Sequence, residues 1–209
     1  MVKLIFFDFW GTLVENGVWS PIKQVRTILG IKASFEEYVV RMEKAIMTKK
    51  FASLREAFEA LCEEFEIVAT PEQIDSLVGM WNKSWMLARP YEETIGTLQR
   101  LQKKYRLILV SNTDCFSINS VLDKFSLHQY FENVFLSYEI GKIKTDKDFF
   151  PFVLEKLGVK AEECMMVGDS VQSDIIPAQQ AGIKAVLLDR RNQREAELKI
   201  TNLSEVESL

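Results

Sequence analysis

The periodicity of the apolar residues changes twice along this chain, and those changes constrain the fold more than any single motif. Lys3–Phe7 is a short apolar run of strand type, followed closely by Gly11. From about Pro21 to Met86 every segment reads helical instead. Ser20-Pro21 marks a helix start, with an N-cap residue and proline at the first helical position. Ser34-x-x-Glu37 and Ser53-x-x-Glu56 have capping-box spacing, and Thr70-Pro71-Glu72-Gln73 opens a fourth helix. Apolar stripes follow these starts at helical spacing: Phe35, Tyr38, Val39, Met42, Ala45 and Ile46 in one, Leu54, Ala57, Phe58, Leu61, Cys62 and Phe65 in the next, and Ile74, Leu77, Val78, Trp81 and Trp85 in the last. Four helices joined by short loops predict a helical bundle of about 70 residues.

The second change comes at Pro90, where helix and strand begin to alternate. Helices are expected over Glu92–Lys104, Ile118–Phe125, Asp148–Leu157 and Asp174–Ala181, the last two closed by Gly158 and Gly182. Strands are expected over Leu107–Val110, Val134–Leu136, Cys164–Val167 and Ala185–Leu188. Repeated β-α units with continuous apolar strands predict a parallel sheet covered on both faces. The first strand has no parallel partner until Leu107, so the bundle is an insertion after strand one, over the carboxyl edge of the sheet. The expected fold class is α/β: a Rossmann-like parallel-sheet core over residues 1–15 and 88–209, with a four-helix-bundle cap domain over residues 16–87.

Composition narrows the function classes. The net charge of −4 argues against a nucleic-acid partner, whose phosphates call for a basic excess, although a local basic site for a small anion is compatible with it. No apolar run approaches the roughly 18–20 residues that span a bilayer, so no membrane partner is expected. Met1-Val2-Lys3 leads into Leu4-Ile5-Phe6-Phe7 and then Asp8, too short a run for a signal peptide, and a cytoplasmic location is the expectation. Cys62, Cys115 and Cys164 are odd in number and form no C-x-x-C, so neither a disulfide framework nor a zinc site is expected. The single histidine, His128, excludes a His-rich metal site, and no G-x-S-x-G elbow accompanies it; it reads as a loop or helix-end residue. The pattern fixes no oligomeric state.

In open α/β sheets ligands bind beyond the carboxyl ends of the strands. The residues there are Asp8 after the first strand, Ser111-Asn112 after the second, Lys144 a little beyond the third, and Gly168-Asp169-Ser170 after the fourth. Any one of these reads as a turn or capping residue. Two carboxylates, a hydroxyl, an amide and a lysine at successive strand ends read as a site.

These residues fall in four motifs: Phe7-Asp8-Phe9-Trp10-Gly11-Thr12-Leu13, Val110-Ser111-Asn112-Thr113, Gly141-x-x-Lys144-x-Asp146 and Val167-Gly168-Asp169-Ser170-x-x-x-Asp174. In that order the whole chain resembles the haloacid dehalogenase superfamily, in the form with a helical cap inserted after the first strand. The resemblance implies Asp8 as a nucleophile that forms a covalent aspartyl intermediate. It implies Thr12, Ser111 and groups around Asn112 as hydrogen-bonding partners of the transferring group, and Lys144 as the neutralising cation. It further implies Mg²⁺ held by Asp8, Asp169 and the backbone carbonyl of Trp10, with Asp174 supporting Lys144 or a metal-bound water.

Two positions depart from that family's phosphatase pattern. Trp10 stands where those enzymes carry an aspartate that acts as acid and base, which an indole cannot do near neutral pH. Thr145 replaces a proline, a change expected to affect only loop stiffness. An aromatic residue at the Trp10 position belongs to the dehalogenases, whereas Asp169 belongs to the Mg²⁺-dependent phosphatases, because a carboxylate beside Asp8 needs a cation between the two. The reading is therefore hydrolysis of a small phosphorylated metabolite, a phosphomonoester, through an aspartyl-phosphate. A metal-independent 2-haloacid dehalogenase and a non-catalytic fold that binds a phospholigand or a partner are the rivals. In the phosphatase reading a cap residue or a substrate group would have to replace the missing acid–base. Trp10 is also a candidate to pack against the substrate. Arg41 is a candidate substrate cradle, set against a plainer reading as part of a solvated helix face. Trp81 and Trp85 read as helix core, and Cys115 as an inert thiol.

Overall fold

The computed structural model describes residues 2–209; Met1, counted above with the 1–15 segment, lies outside the described residues. Six parallel strands form the main sheet: β1 (Leu4–Phe7), β4 (Arg106–Ser111), β5 (Asn133–Leu136), β6 (Cys164–Gly168), β7 (Lys184–Leu188) and β8 (Lys199–Ile200). Their order is β5-β4-β1-β6-β7-β8. The chain thus runs outward from β1 to one edge, then returns to β1's other side. That reversal puts a crevice at the carboxyl end of β1. Strand alternation separates two cores: Ile5 and Phe7 pack with Leu109 and Val167 on one face, Leu4 and Phe6 with Val110 and Met166 on the other. Helices cover both faces, among them α5 (Thr94–Leu101), α6 (Ile118–Lys124), α8 (Phe149–Leu157) and α9 (Ile176–Gln180), with the short α7 (Ser137–Ile140) following β5.

Between β1 and β4 the chain leaves the sheet through β2 (Val14–Glu15) and returns through β3 (Arg89–Pro90), which pair antiparallel. This ribbon carries α1 (Pro21–Leu29), α2 (Phe35–Met47), α3 (Leu54–Glu64) and α4 (Pro71–Met86). The four helices enclose a core of their own, with Tyr38, Met42, Phe58, Leu61, Leu77 and Trp81 buried in it. Local chemistry sets the helix starts. Ser34 and Ser53 accept the backbone N–H of Glu37 and Glu56, and Thr70 with Gln73 makes a full reciprocal capping box. Three starts differ from the sequence expectation, the first being α2, where the Glu37 carboxylate accepts from Arg41 instead of returning a bond to Ser34. Ser20 adopts a left-handed conformation, so its hydroxyl does not cap α1, and the fixed φ of Pro21 opens the helix without it. Glu56 bonds the N–H of Ala52 rather than that of Ser53.

Other departures have local causes. The helix expected over 92–104 is confined to Thr94–Leu101, because residues 103 and 104 close as tight turns onto Arg100 and Leu101. The helix expected from Asp174 begins instead as a π-turn over Val171–Ile175, in which the Ile175 N–H reaches the Ser170 carbonyl at 3.2 Å; Pro177 has no N–H to continue an ordinary ladder there. The strand β8 and the β2–β3 ribbon are two residues per strand, too short for any period to reveal them. Among the described residues no helix is long and apolar enough to cross a membrane.

Candidate active site

Parallel pairing fixes the site before any side chain is considered. Phe7 lies level with Leu109 of β4 and Val167 of β6, so Asp8, the Ser111–Asn112 pair and Gly168-Asp169 emerge together at the carboxyl edge. The Asp8 N–H continues the ladder to the Val167 carbonyl at 3.0 Å, which holds its side chain over the crevice.

Both oxygens of Asp8 are engaged. Lys144 Nζ donates to Oδ1 at 2.6 Å and Thr12 Oγ1 to Oδ2 at 3.1 Å. The same ammonium also donates to Asp174 Oδ1, and all three residues are buried. Burial alone would weaken the Lys144 ammonium, but Asp174 and Asp8 more than offset it and keep the charged form favoured beyond its usual range. Asp174 is held in turn by the Ser170 N–H, which donates to Oδ2 at 2.9 Å within the π-turn. A side chain at Gly168 would collide with the Asp174 carboxyl, its Cβ falling 2.3 Å from Oδ2.

Asp169 completes a cluster in which oxygens of Asp8, Asp169 and Asp174 lie within 4.8 Å of one another. Burial, reinforced by the charges of Asp8 and Asp174, pushes the Asp169 carboxyl well above its ordinary range; only Arg194 and Lys144 oppose this. Three carboxylates facing one ammonium leave negative charge over. A set of oxygen donors with surplus negative charge fits a hard divalent cation. Gly11 makes room for the Asp169 carboxylate: at φ +79° a Cβ there would sit 2.4 Å from Asp169 Oδ2. Arg194 donates to the Asp169 carbonyl and pairs with Asp189, steadying the strand end from behind.

Ser111 and Asn112 occupy the opposite side. Ser111 Oγ has a 3.5 Å contact to the Asn112 carbonyl, at the limit of hydrogen bonding, so its donor is free for a bound group. Asn112 Oδ1 accepts the Lys144 backbone N–H at 2.9 Å, tying the loop after α7 to the end of β4. Trp10 turns its indole N–H to Thr113 Oγ1 at 3.2 Å and packs edge-on against Phe9. Thr145 Oγ1 is buried with no hydrogen-bond partner among the described residues.

The helical segment closes the crevice through specific contacts. Lys44 pairs with Asp146 at 2.9 Å, and Trp81 Nε1 donates to Asp114 Oδ2 at 2.9 Å. Glu43 of α2 is buried against the site: its Oε2 accepts a hydrogen bond from Asn112 Nδ2 at 2.8 Å. Glu43 escaped the sequence reading. Its signal was its place four residues after Val39 and four before Met47, on the flank of the apolar stripe rather than on the charged face.

Arg41 is not brought to this site. Its guanidinium bonds Glu64 at 2.7 Å and Glu37 at 3.2 Å and lies 4.3 Å over the Phe65 ring. Two residues from Glu43, it projects from a different side of α2, so the cradle read for Arg41 is corrected to the solvated face. Trp81 is buried in the helical core and Trp85 packs partly into both cores. Cys115 is half-buried against the Phe51 carbonyl, and the exposed His128 pairs with Asp123.

The family model for haloacid dehalogenase-like hydrolases matches residues 2–182. The chain is 31% identical over 205 residues to the glyceraldehyde 3-phosphate phosphatase of Methanocaldococcus jannaschii, covering 94% of this chain and 89% of that one. It is 24% identical over 207 residues to the human N-acylneuraminate-9-phosphatase, covering 91% and 84%. Among solved structures, a 2-haloacid dehalogenase from Pseudomonas syringae pv. Tomato DC3000 superimposes with a TM-score of 0.67 at 22% identity, covering 100% of this chain and 97% of that one.

Proposed function

The chain belongs to the family of haloacid dehalogenase-like hydrolases, and from that premise we propose that it is a phosphatase acting on a small phosphomonoester. The observation that carries this reading is the Asp8–Asp169–Asp174 cluster with Lys144 inside it. A metal-free dehalogenase has no use for a second carboxylate, Asp169, beside its nucleophile, where like charges repel. The phosphatase names of relatives matched along most of their length support the same choice.

In this mechanism Asp8 attacks phosphorus, oriented by Thr12 and Lys144, and forms an aspartyl-phosphate. Lys144 offsets the repulsion between that carboxylate and the anionic ester, and Ser111 with the backbone around Asn112 donates to the transferring oxygens. Asp8, Asp169 and the Trp10 carbonyl, with Asp174 beside them, would hold Mg²⁺, which when bound would supply further neutralisation of the phosphoryl charge. Residues 16–87 act as a cap that swings on the β2–β3 ribbon, opening for substrate and closing to exclude water. A cytoplasmic setting accords with the three free thiols.

The test is release of phosphate from an aryl phosphate against release of chloride from a 2-chloro acid, each with Mg²⁺ and with chelator. Phosphate release that needs Mg²⁺ and vanishes in Asp8→Asn is the expected result. Chloride release that survives the chelator would transfer the assignment to a dehalogenase, the reading Trp10 favours.

A further inference from the structure

We propose that Glu43, reaching in from α2, is the general acid and base of the reaction, in place of the side chain that Trp10 cannot supply. The inference rests on the phosphatase reading above. In an in-line displacement the leaving oxygen lies on the side of phosphorus opposite the nucleophile. Asp8 points out of the sheet's carboxyl edge, so that opposite side is the underside of the helical segment. There α2 is pinned by Lys44 to Asp146 and by Glu43 to Asn112. Glu43 is the one carboxyl that α2 buries. Its Oε2 is fixed by Asn112 Nδ2, whereas Oε1 carries no hydrogen bond among the described residues and is not sealed from solvent. The charged groups that act on it are Lys144 from the loop after α7, Asp174 from the π-turn and Asp8 from β1.

Burial raises the Glu43 carboxyl to about 7, against the pull of Lys144 and Asn112 and with the help of Asp174 and Asp8. It is therefore poised to hold a proton near neutral pH and to release it, which is what an acid–base of both steps must do. As the Asp8 Oδ–phosphorus bond forms, the P–O bond pair passes to the leaving oxygen, which takes the Glu43 proton and departs as the alcohol. A water then enters the vacated position. It gives a proton to the Glu43 carboxylate as its oxygen bonds phosphorus, and the Asp8–phosphorus bond breaks, restoring the Asp8 carboxylate and the Glu43 acid.

The experiment is a leaving-group series on the full-length protein with Mg²⁺, from nitrophenyl to alkyl phosphates, comparing wild type with Glu43→Gln, whose amide oxygen keeps the Asn112 bond. Poor leaving groups need the proton and good ones do not. The expected result is a loss in kcat/KM of about 10²-fold or more on alkyl esters and a change of only a few-fold in kcat/KM on the nitrophenyl ester, whose kcat falls because hydrolysis of the aspartyl-phosphate is shared by every ester. Trp10→Asp added to Glu43→Gln should restore alkyl turnover. If Glu43→Gln unfolds, Glu43→Met, of similar length and bordered by Met47, carries the same expectation. A parallel loss of kcat/KM on every ester reveals a structural role and overturns the proposal, as does retention of full alkyl turnover. Wild type that releases phosphate from no ester overturns the phosphatase reading itself, and this inference with it.

Discussion

The Trp81 indole N–H donates to Asp114 Oδ2 at 2.9 Å, and so joins the core of the helical segment to the loop that follows β4. Trp81 packs edge-on against Phe58 inside that core. Asp114 spends its remaining capacity on its own loop, accepting the N–H groups of Phe116 and Ser117 and the Ser117 hydroxyl. The contact is thus a strut between two preorganised parts, one that opening of the cap would have to break. Trp81→Phe removes the donor and leaves Asp114 otherwise bonded. It should cost ~2 kcal/mol, a drop in Tm of roughly 4–8 °C for a chain of this size. A melting curve checks it, and an unchanged Tm would mean the strut carries no stability.

Asp169→Asn should separate metal binding from folding. The substitution removes one charge from a crowded carboxylate cluster, so the fold in chelator should be as stable as wild type or more so. A cation that binds only the folded state adds about 2.7 kcal/mol at a hundred times its Kd. Wild type should therefore gain several degrees of Tm on addition of Mg²⁺, and Asp169→Asn should gain far less and lose turnover in step. Equal Mg²⁺ stabilisation of both proteins would place the ion elsewhere.

The residues at strand ends were legible because contiguous apolar strands leave no choice about where they stop. Asp8, Asn112 and Asp169 occupy the first positions after β1, β4 and β6, with Ser111 the last residue of β4, and parallel register alone brings them together. Lys144 and Asp174 needed only short loops to join them. Glu43 was only half legible: its place on the flank of the apolar stripe marks it as inward-facing, but what it meets depends on how α2 is rotated and docked, which no local pattern encodes. Arg41 failed for the same reason: it shares a helix with Glu43 but sits at another angle, where Glu37 and Glu64 claim it. The π-turn at Val171–Ile175 was hidden because it differs from an α-turn by a single carbonyl offset.

Gly11→Ala tests whether the space at the first turn belongs to the metal site. The substitution forces an L side chain to φ +79°, which costs ~1–2 kcal/mol, and drives a methyl group onto the Asp169 carboxylate. Stability in chelator should fall by that amount. Mg²⁺ stabilisation and turnover should fall as in Asp169→Asn, although every acidic residue remains. Calorimetric titration with Mg²⁺ alongside a melting curve reads both effects, and a variant that binds Mg²⁺ like wild type would show that Asp169 can move aside.

Glu43 makes a stability prediction independent of turnover. Its carboxyl titrates near 4.5 when unfolded and at about 7 in the folded protein. Below pH 4.5 both states hold the proton and Glu43 contributes no pH dependence. As pH rises from there, the unfolded chain releases its proton first, the folded state binds more protons, and the free energy of unfolding falls. The decline ends just above pH 7, once the buried group has ionised, and amounts to at most ~3 kcal/mol. Asp169 and Asp174 are also raised and add slopes of the same sign, so the informative quantity is the difference between wild type and Glu43→Gln. That variant should gain on wild type steadily between pH 5 and pH 7.5, and hold the gain at higher pH. Urea unfolding in chelator across this range measures it. Parallel pH profiles for the two proteins would mean that Glu43 is ionised throughout and is not held as an acid in the folded state.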